Sequence, residues 1–233
     1  MGIIAKPLGW LMTWLYSILG NYAVVIILIT VAVKIILYPI YKSQIMTNAN
    51  MADMQPKIQE IQRKYANDKE LMNQKLAEFY QEENYNPMKG CAPMIVQMFV
   101  IMALFAVLRN PMTYISSEEM YFAIHESFLW IKDLSQPDLW VLPILAGVAT
   151  FLSQWLNKMT NPTMQGGANN MMMTMMMYFF PIMIVWLARS YPSGLALYWF
   201  VSQFIQIFFN LRMNQIRKKI VKEKTKAAKK AKK

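Results

Sequence analysis

The residues that build most enzyme and metal sites are scarce in this chain. It has one cysteine and one histidine among 233 residues, so an internal disulfide and a metal or proton relay built from several histidines are excluded. The carboxylates are scattered and form no catalytic triad, metal-ligand cluster or phosphate-binding loop pattern. We therefore expect a protein that is not an enzyme and that needs no cofactor and no metal ion.

Charged residues are also few for a chain of this length. They make up 16% of the sequence, and hydrophobic residues make up 56%, whereas soluble domains average about 25% and 45–50%. Both deviations favour a membrane protein. No cleavable signal peptide is expected, because residues 1–20 lack the small-residue pattern of a cleavage site. The formal net charge of +11 predicts contact with an anionic surface or partner.

Lys34 stands out because it lies inside the apolar run of residues 24–39. A charged side chain at bilayer depth costs roughly 2.5–3.5 kcal/mol on insertion scales, and such residues commonly mark function. The alternative is that its long stem lifts the ammonium to the headgroups. No acidic residue lies in any predicted span to pair with it. We therefore expect water around the ammonium, in a positively charged hydrophilic cavity.

The apolar runs predict an all-α membrane protein with five transmembrane helices. The spans cover residues 22–41, 93–108, 139–156, 171–188 and 195–211. We divide the chain into an amphipathic interfacial helix (1–21), a five-span core (22–211) and a basic cytosolic tail (212–233). Trp10 and Trp14 favour an interfacial position for the first helix, although a short first span is an alternative.

The charged segment 42–90 within the core has apolar residues at helical spacing and predicts a helical hairpin outside the membrane. Asp68 is the predicted N-cap of its second helix. The tail is lysine-rich and of low complexity, so we expect it to be disordered beyond its first turns. Lysine and arginine concentrate in the hairpin and the tail, which the positive-inside rule places on the cytoplasmic side, giving N-out/C-in.

Polar side chains recur at helical spacing in the predicted spans. Thr30 lies four residues before Lys34, and the fifth span carries Tyr198, Ser202, Gln206 and Asn210. Polar groups in lipid need partners, so these faces should converge. Ordinary interhelical hydrogen bonding would explain the amides without any function. The methionine run that opens the fourth span offers a flexible surface for varied apolar shapes, or simply lipid-facing bulk.

Several strings together resemble the YidC/Oxa/Alb family of membrane protein insertases, in its short bacterial form. They are residues 34–39 (KIILYP), 54–59 (MQPKIQ), 86–93 (NPMKGCAP), 95–98 (IVQM) and 192–199 (PSGLALYW). The resemblance implies a groove open to the cytoplasm and to lipid, with Lys34 where the family most often has arginine. It also implies that Thr30, Gln97 and Trp199 lie in or near that groove, and we add Tyr198, Ser202 and Gln206 from their spacing.

The function implied by the resemblance is insertion of nascent membrane proteins into the lipid bilayer of the bacterial cell, by a multi-pass protein that acts as a monomer. The hydrophobic segment of the substrate would slide along the second and fourth spans, at Met98, Ile101, Met176 and Phe180. The ribosome, through the basic tail, and the Sec translocon are further candidate partners, and anionic lipid is the alternative ligand of the tail. A small transporter or channel is the main rival function, and a purely structural assembly factor is the third.

Overall fold

The computed structural model describes residues 2–85, 88–109, 111–115, 118–160 and 168–231. The described regular elements are helices, and the β-structure in these ranges is an isolated bridge between Phe128 and Ile131. The helices are α1 (Gly2–Leu19), α2 (Tyr22–Ile36), α3 (Tyr38–Lys64), α4 (Lys69–Glu82), α5 (Met88–Arg109), α6 (Pro111–Tyr114), α7 (Glu118–Ala123), α8 (Val141–Thr160), α9 (Ala168–Ala188) and α10 (Ser193–Ala231).

Helix α1 is amphipathic, as the sequence predicts. Trp10 and Trp14 are exposed, whereas Ala5 and Met12 are fully buried against the rest of the chain. Gly9 allows a close approach to the neighbouring backbone, because a Cβ there would overlap the carbonyl oxygen of Tyr114. An interfacial position in the membrane remains a prediction for this helix.

The predicted first span is interrupted near its end. Helix α2 ends at Ile36, and α3 begins at Tyr38, with Leu37 between them. Pro39 lies in the first turn of α3, where its missing N–H would have no intrahelical partner in any case. The proline therefore lies at the start of a new helix instead of ending the old one.

Helices α3 and α4 form the predicted hairpin. Asp68 caps α4, since its Oδ1 accepts hydrogen bonds from the backbone N–H groups of Glu70 at 3.1 Å and Leu71 at 3.0 Å. The two helices share a small apolar core of Met54, Ile58 and Phe79. That core is separate from the main one, so the hairpin is held together largely by its own contacts.

The other long helices correspond to the predicted spans. Within the described residues, one segment, Ser193–Ile216, is long and apolar enough to cross a membrane, and Tyr22–Ile36, Ile95–Leu108 and Met177–Ala188 are shorter apolar helices. Helix α8 becomes polar in its second half, where Ser153, Gln154 and Lys158 lie.

A loop between α7 and α8 closes one end of the bundle. The backbone N–H groups of Ser193 and Gly194 donate to the carbonyls of Gln136 at 2.9 Å and Leu134 at 3.0 Å. The Glu126 carboxylate accepts from the backbone N–H of Tyr22 at 2.8 Å and from the Tyr16 hydroxyl at 2.5 Å. The loop thus connects α1, α2 and the start of α10.

The prediction of a disordered tail is wrong, because α10 continues without interruption to Ala231. Lysine and alanine are good helix formers. A segment that extends an existing helix also avoids the unfavourable nucleation step.

Candidate functional site

Lys34 points into the bundle and not toward the end of its helix. The side chain is only 3% exposed. Its Nζ donates to the Tyr41 hydroxyl at 3.2 Å, to Gln97 Oε1 at 3.3 Å and to Gln206 Oε1 at 3.2 Å. These acceptors belong to α3, α5 and α10, so one ammonium connects three helices to α2.

The bonds to Lys34 are long for charge-assisted hydrogen bonds, which are typically about 2.7–2.9 Å. All three acceptors are neutral, and Lys34 takes part in none of the ion pairs among the described side chains. The Tyr41 ring adds a cation–π contact, with Nζ 5.1 Å from its centroid. The charge is therefore solvated by dipoles and is not neutralised.

The hydrated cavity expected around Lys34 stays a prediction, and the side chain itself is enclosed by its neighbours. The absence of acidic partners in the spans suggested that water must surround the ammonium. In the structure, side-chain oxygens from three helices contact the ammonium directly. Tyr41 was not among the predicted site residues, although it lies seven residues after Lys34, and that spacing would place both on one face of a continuous helix.

The polar residues of the fifth span converge with Gln97, as their spacing predicts. Gln97 Nε2 donates to the Tyr198 hydroxyl at 2.6 Å. Gln206 Nε2 donates to Asn210 Oδ1 at 3.1 Å, and Asn210 Nδ2 donates to the Ser153 carbonyl at 2.7 Å. The network around Lys34 therefore extends from α5 through α10 to α8.

Thr30 and Ser202 are fully enclosed in the bundle, at 1% and 0% exposure. The Thr30 hydroxyl donates to the carbonyl of Ile26 in its own helix at 2.7 Å. Thr30 thus lies one turn from Lys34, but its hydroxyl is already used by the backbone.

Trp199 faces away from Lys34. Its Nε1 donates to Thr150 Oγ1 at 3.0 Å on α8, and its ring lies 6.0 Å from the Phe180 ring on α9. The structure therefore separates Trp199 from the other predicted groove residues. With Phe180, it belongs to the side of α10 that faces α8 and α9.

An apolar cavity of about 880 Å³ lies between α5, α9 and α10. Its wall includes Ile101, Phe105, Ile184, Tyr191 and Trp199. Ile101 is one helical turn from Gln97 on α5, so the cavity begins close to the polar network.

Two of the other predicted slide residues, Met98 and Phe180, lie on helices that border this cavity. Met98 on α5 is 51% exposed, and Phe180 contacts Trp199 in the cavity wall. Met176 lies on α9, and its side chain is outside the described residues.

Comparison with known proteins identifies the family. The model of the 60Kd inner membrane protein family matches residues 14–224. The chain belongs to the 60Kd inner membrane protein family. Along most of its length the chain is also similar to proteins named membrane protein insertase YidC. The resemblance inferred from the sequence motifs is thereby confirmed.

Two curated relatives and one solved structure illustrate the similarity. A YidC of Haemophilus influenzae (strain PittEE) is 39% identical over 88% of this chain, which spans only 35% of that relative. A YidC of Fusobacterium nucleatum subsp. nucleatum is 38% identical, over 88% of this chain and 92% of the relative. The crystal structure of an active YidC insertase matches with a TM-score of 0.62 and 30% identity, over 89% of this chain and 45% of that one. The regular elements of the described residues are thus all helices. The chain is a bacterial membrane protein of the insertase family.

Proposed function

We propose that this chain is a membrane protein insertase that moves hydrophobic segments of nascent proteins into the bilayer through a positively charged polar groove. The observation that carries the proposal is the buried Lys34 ammonium, held by neutral oxygens on three helices. A charge kept without a counter-ion attracts an acidic or polar peptide, which a neutralised charge would not.

The polar end of the substrate would be drawn to Lys34. The long hydrogen bonds to the ammonium can be exchanged for a shorter one to an incoming carboxylate or carbonyl. Because Tyr41 is the partner on α3, movement of the hairpin would remove that partner first. The break at Leu37 would let α3 move while α2 keeps Lys34 in place.

The hydrophobic segment would follow the apolar cavity between α5 and α9. Ile101 and Phe105 on one side and Ile184 on the other offer the surface, beginning one turn from Gln97. A polar groove beside an apolar wall lets the two ends of a substrate separate without a continuous pore. Burial of the new span, and for acidic ends the membrane potential at about 2.3 kcal/mol per charge per 100 mV, would drive the step.

The proposed topology has five spans, formed by α2, α5, α8, α9 and α10, with the N-terminus outside and the C-terminus inside. It follows from the distribution of Lys and Arg, which concentrates in the hairpin and in residues 212–233. In this arrangement, the loop between α7 and α8 closes the outer end, and the hairpin receives the substrate in the cytosol.

Complementation of an insertase-depleted bacterial strain tests the function. We expect the wild-type chain and Lys34→Arg to restore growth, because both keep the charge. Lys34→Ala should fail, with equal amounts of each protein in the membrane as the control. Growth with Lys34→Ala equal to that of the wild type would overturn the charge mechanism, and failure of the wild type would overturn the function.

We further propose that the basic end of α10 contacts ribosomal RNA. The helix has 39 residues, so it is about 58 Å long at 1.5 Å per residue, against a hydrocarbon core of about 30 Å. Residues 217–231, beyond the candidate span, would extend about 22 Å further. Attraction to anionic lipid weakens within a Debye length, about 8 Å at physiological salt, so most of these lysines favour a soluble polyanion.

Sedimentation with ribosomes tests this contact. Replacement of the lysines in residues 217–231 by glutamine should abolish sedimentation, and binding of the wild type should fall steeply with added salt because phosphate contacts release counter-ions. Unchanged sedimentation of the glutamine variant would refute the proposal. If the glutamine variant still sedimented with ribosomes but no longer bound anionic vesicles, the tail would bind lipid.

A further inference from the structure

A tight turn in the loop between α7 and α8 presents two large apolar side chains to the surroundings. Phe128 and Ile131 pair through both backbone bonds, at 2.8 and 2.9 Å, and Leu129 and Trp130 form the tip. Leu129 has φ +55°, a conformation that is unusual for a bulky residue, and its side chain is 76% exposed. A strained turn with an apolar tip is typical of a contact surface, because strain of this kind clusters at functional positions.

The tip is fixed to the beginning of α8. Trp130 Nε1 donates to Asp138 Oδ2 at 3.0 Å. The same carboxylate caps α8, accepting from the backbone N–H of Leu142 at 2.8 Å. Leu139 and Trp140, which follow Asp138, are also largely exposed. We call Leu129, Trp130, Leu139 and Trp140 the loop patch.

The loop patch continues an apolar stripe on α8. The exposed residues Val141, Ile144, Val148 and Leu152 recur at intervals of three and four, which places them on one face of the helix. On a membrane-spanning helix such a face contacts lipid, so the loop patch lies where that surface meets the water.

A cation accompanies the loop patch. The Arg189 guanidinium lies 4.3 Å from the centroid of the Trp140 ring, just after the end of α9. An arginine over an exposed indole is held by the cation–π contact, while its donors remain available to a phosphate. Tryptophan beside a phosphate-binding cation is the composition expected at the headgroup level of a bilayer.

We propose that the loop patch is inserted into the phospholipid headgroup region, with Arg189 on lipid phosphates, and anchors the loop that closes this end of the bundle. Its continuity with the lipid-facing stripe of α8 favours lipid over a protein partner. The exposed polar part of the loop, including Lys132, stays in water. The anchor matters for the bundle because the same loop holds the start of α10 through Leu134 and Gln136.

Spin-label accessibility of the full chain in phospholipid vesicles tests the proposal. Cys91 is the only cysteine, so Cys91→Ser gives a background for labels at Leu129→Cys and, outside the strained turn, at Leu139→Cys. Lys132→Cys is the matched position in the same loop. We expect collisions with oxygen to exceed those with a water-soluble nickel complex at positions 129 and 139, and the reverse at position 132. The measured depth should lie within about 10 Å of the boundary between headgroups and acyl chains.

Two results would overturn the proposal. Labels at 129 and 139 that are as accessible to nickel as the label at 132 would place the loop patch in water. Labels that neither reagent reaches would show that protein covers it. Depth is measured without substrate, so either result would leave the proposed insertase function untouched, and failed complementation would leave the depth result valid.

Discussion

The replacement of Lys34 by methionine, which keeps most of the side-chain length without the charge, gives the sharpest test of the proposed mechanism. The assay is insertion of a purified substrate into vesicles that contain the reconstituted chain. Two substrates differ only in one residue of the translocated tail, Asp or the isosteric Asn. Wild type and Lys34→Met are measured with both, so that the four rates form a double-mutant cycle.

The size of the effect follows from the surroundings of the ammonium. Two unit charges 4 Å apart attract by about 4 kcal/mol at an effective dielectric constant of about 20. The carboxylate loses part of its hydration on entry, and the net value of a hydrogen bond to a charged group is about 1.5–3 kcal/mol. Taking about 2 kcal/mol, we expect Lys34→Met to slow the Asp substrate about 30-fold more than the Asn substrate.

The outcome distinguishes an electrostatic role of Lys34 toward the substrate from a purely structural role between helices. Lys34→Arg should retain most of the preference for the Asp tail, because it keeps the charge although it changes the geometry. Thermal unfolding in detergent checks that each variant is folded. If Lys34→Met slowed both substrates equally, Lys34 would act only as a connector between helices, and our reasoning would be refuted.

Further predictions concern the polar network around Lys34, helix α1 and the loop between α7 and α8. Gln206→Leu removes an acceptor of the Lys34 ammonium and should lower stability by about 1–3 kcal/mol; an unchanged melting temperature would argue against the bond. Gly9→Ala should cost about 1–3 kcal/mol through overlap with the Tyr114 carbonyl, and a neutral result would mean that α1 is not packed there. Asp138→Ala should weaken the cap of α8 by about 1 kcal/mol. Burial raises the pKa of Asp138, but hydrogen bonds, first from the Leu142 backbone N–H, hold it below its usual range. The carboxylate therefore stabilises the folded chain fully at pH values above its ordinary pKa, and this stabilisation is lost as the pH falls through the lowered pKa of the folded state. Asp138→Asn should remove that acid dependence, which unfolding at a series of pH values measures.

Local sequence signals predicted most of the helices because they depend on nearby residues. Asp68 was recognisable as an N-cap from its position before an amphipathic segment, and the structure confirms its two backbone acceptor bonds. The break at Leu37 was missed because the sequence around Pro39 is equally compatible with the end of one helix and with the first turn of another. The helical tail was missed because composition alone does not reveal that it extends a helix already formed.

The sequence by itself determined that a cation lies within an apolar helix and that polar residues recur on one face of the fifth span, since both follow from spacing along one chain. Only the tertiary structure decided which groups reach Lys34 and which do not. Tyr41, Gln97 and Gln206 meet it from three helices, whereas Trp199, next to Tyr198 in the chain, points to α8. Neighbours on a helix diverge by about 100°, so the partners of each side chain depend on how the helices pack around one another.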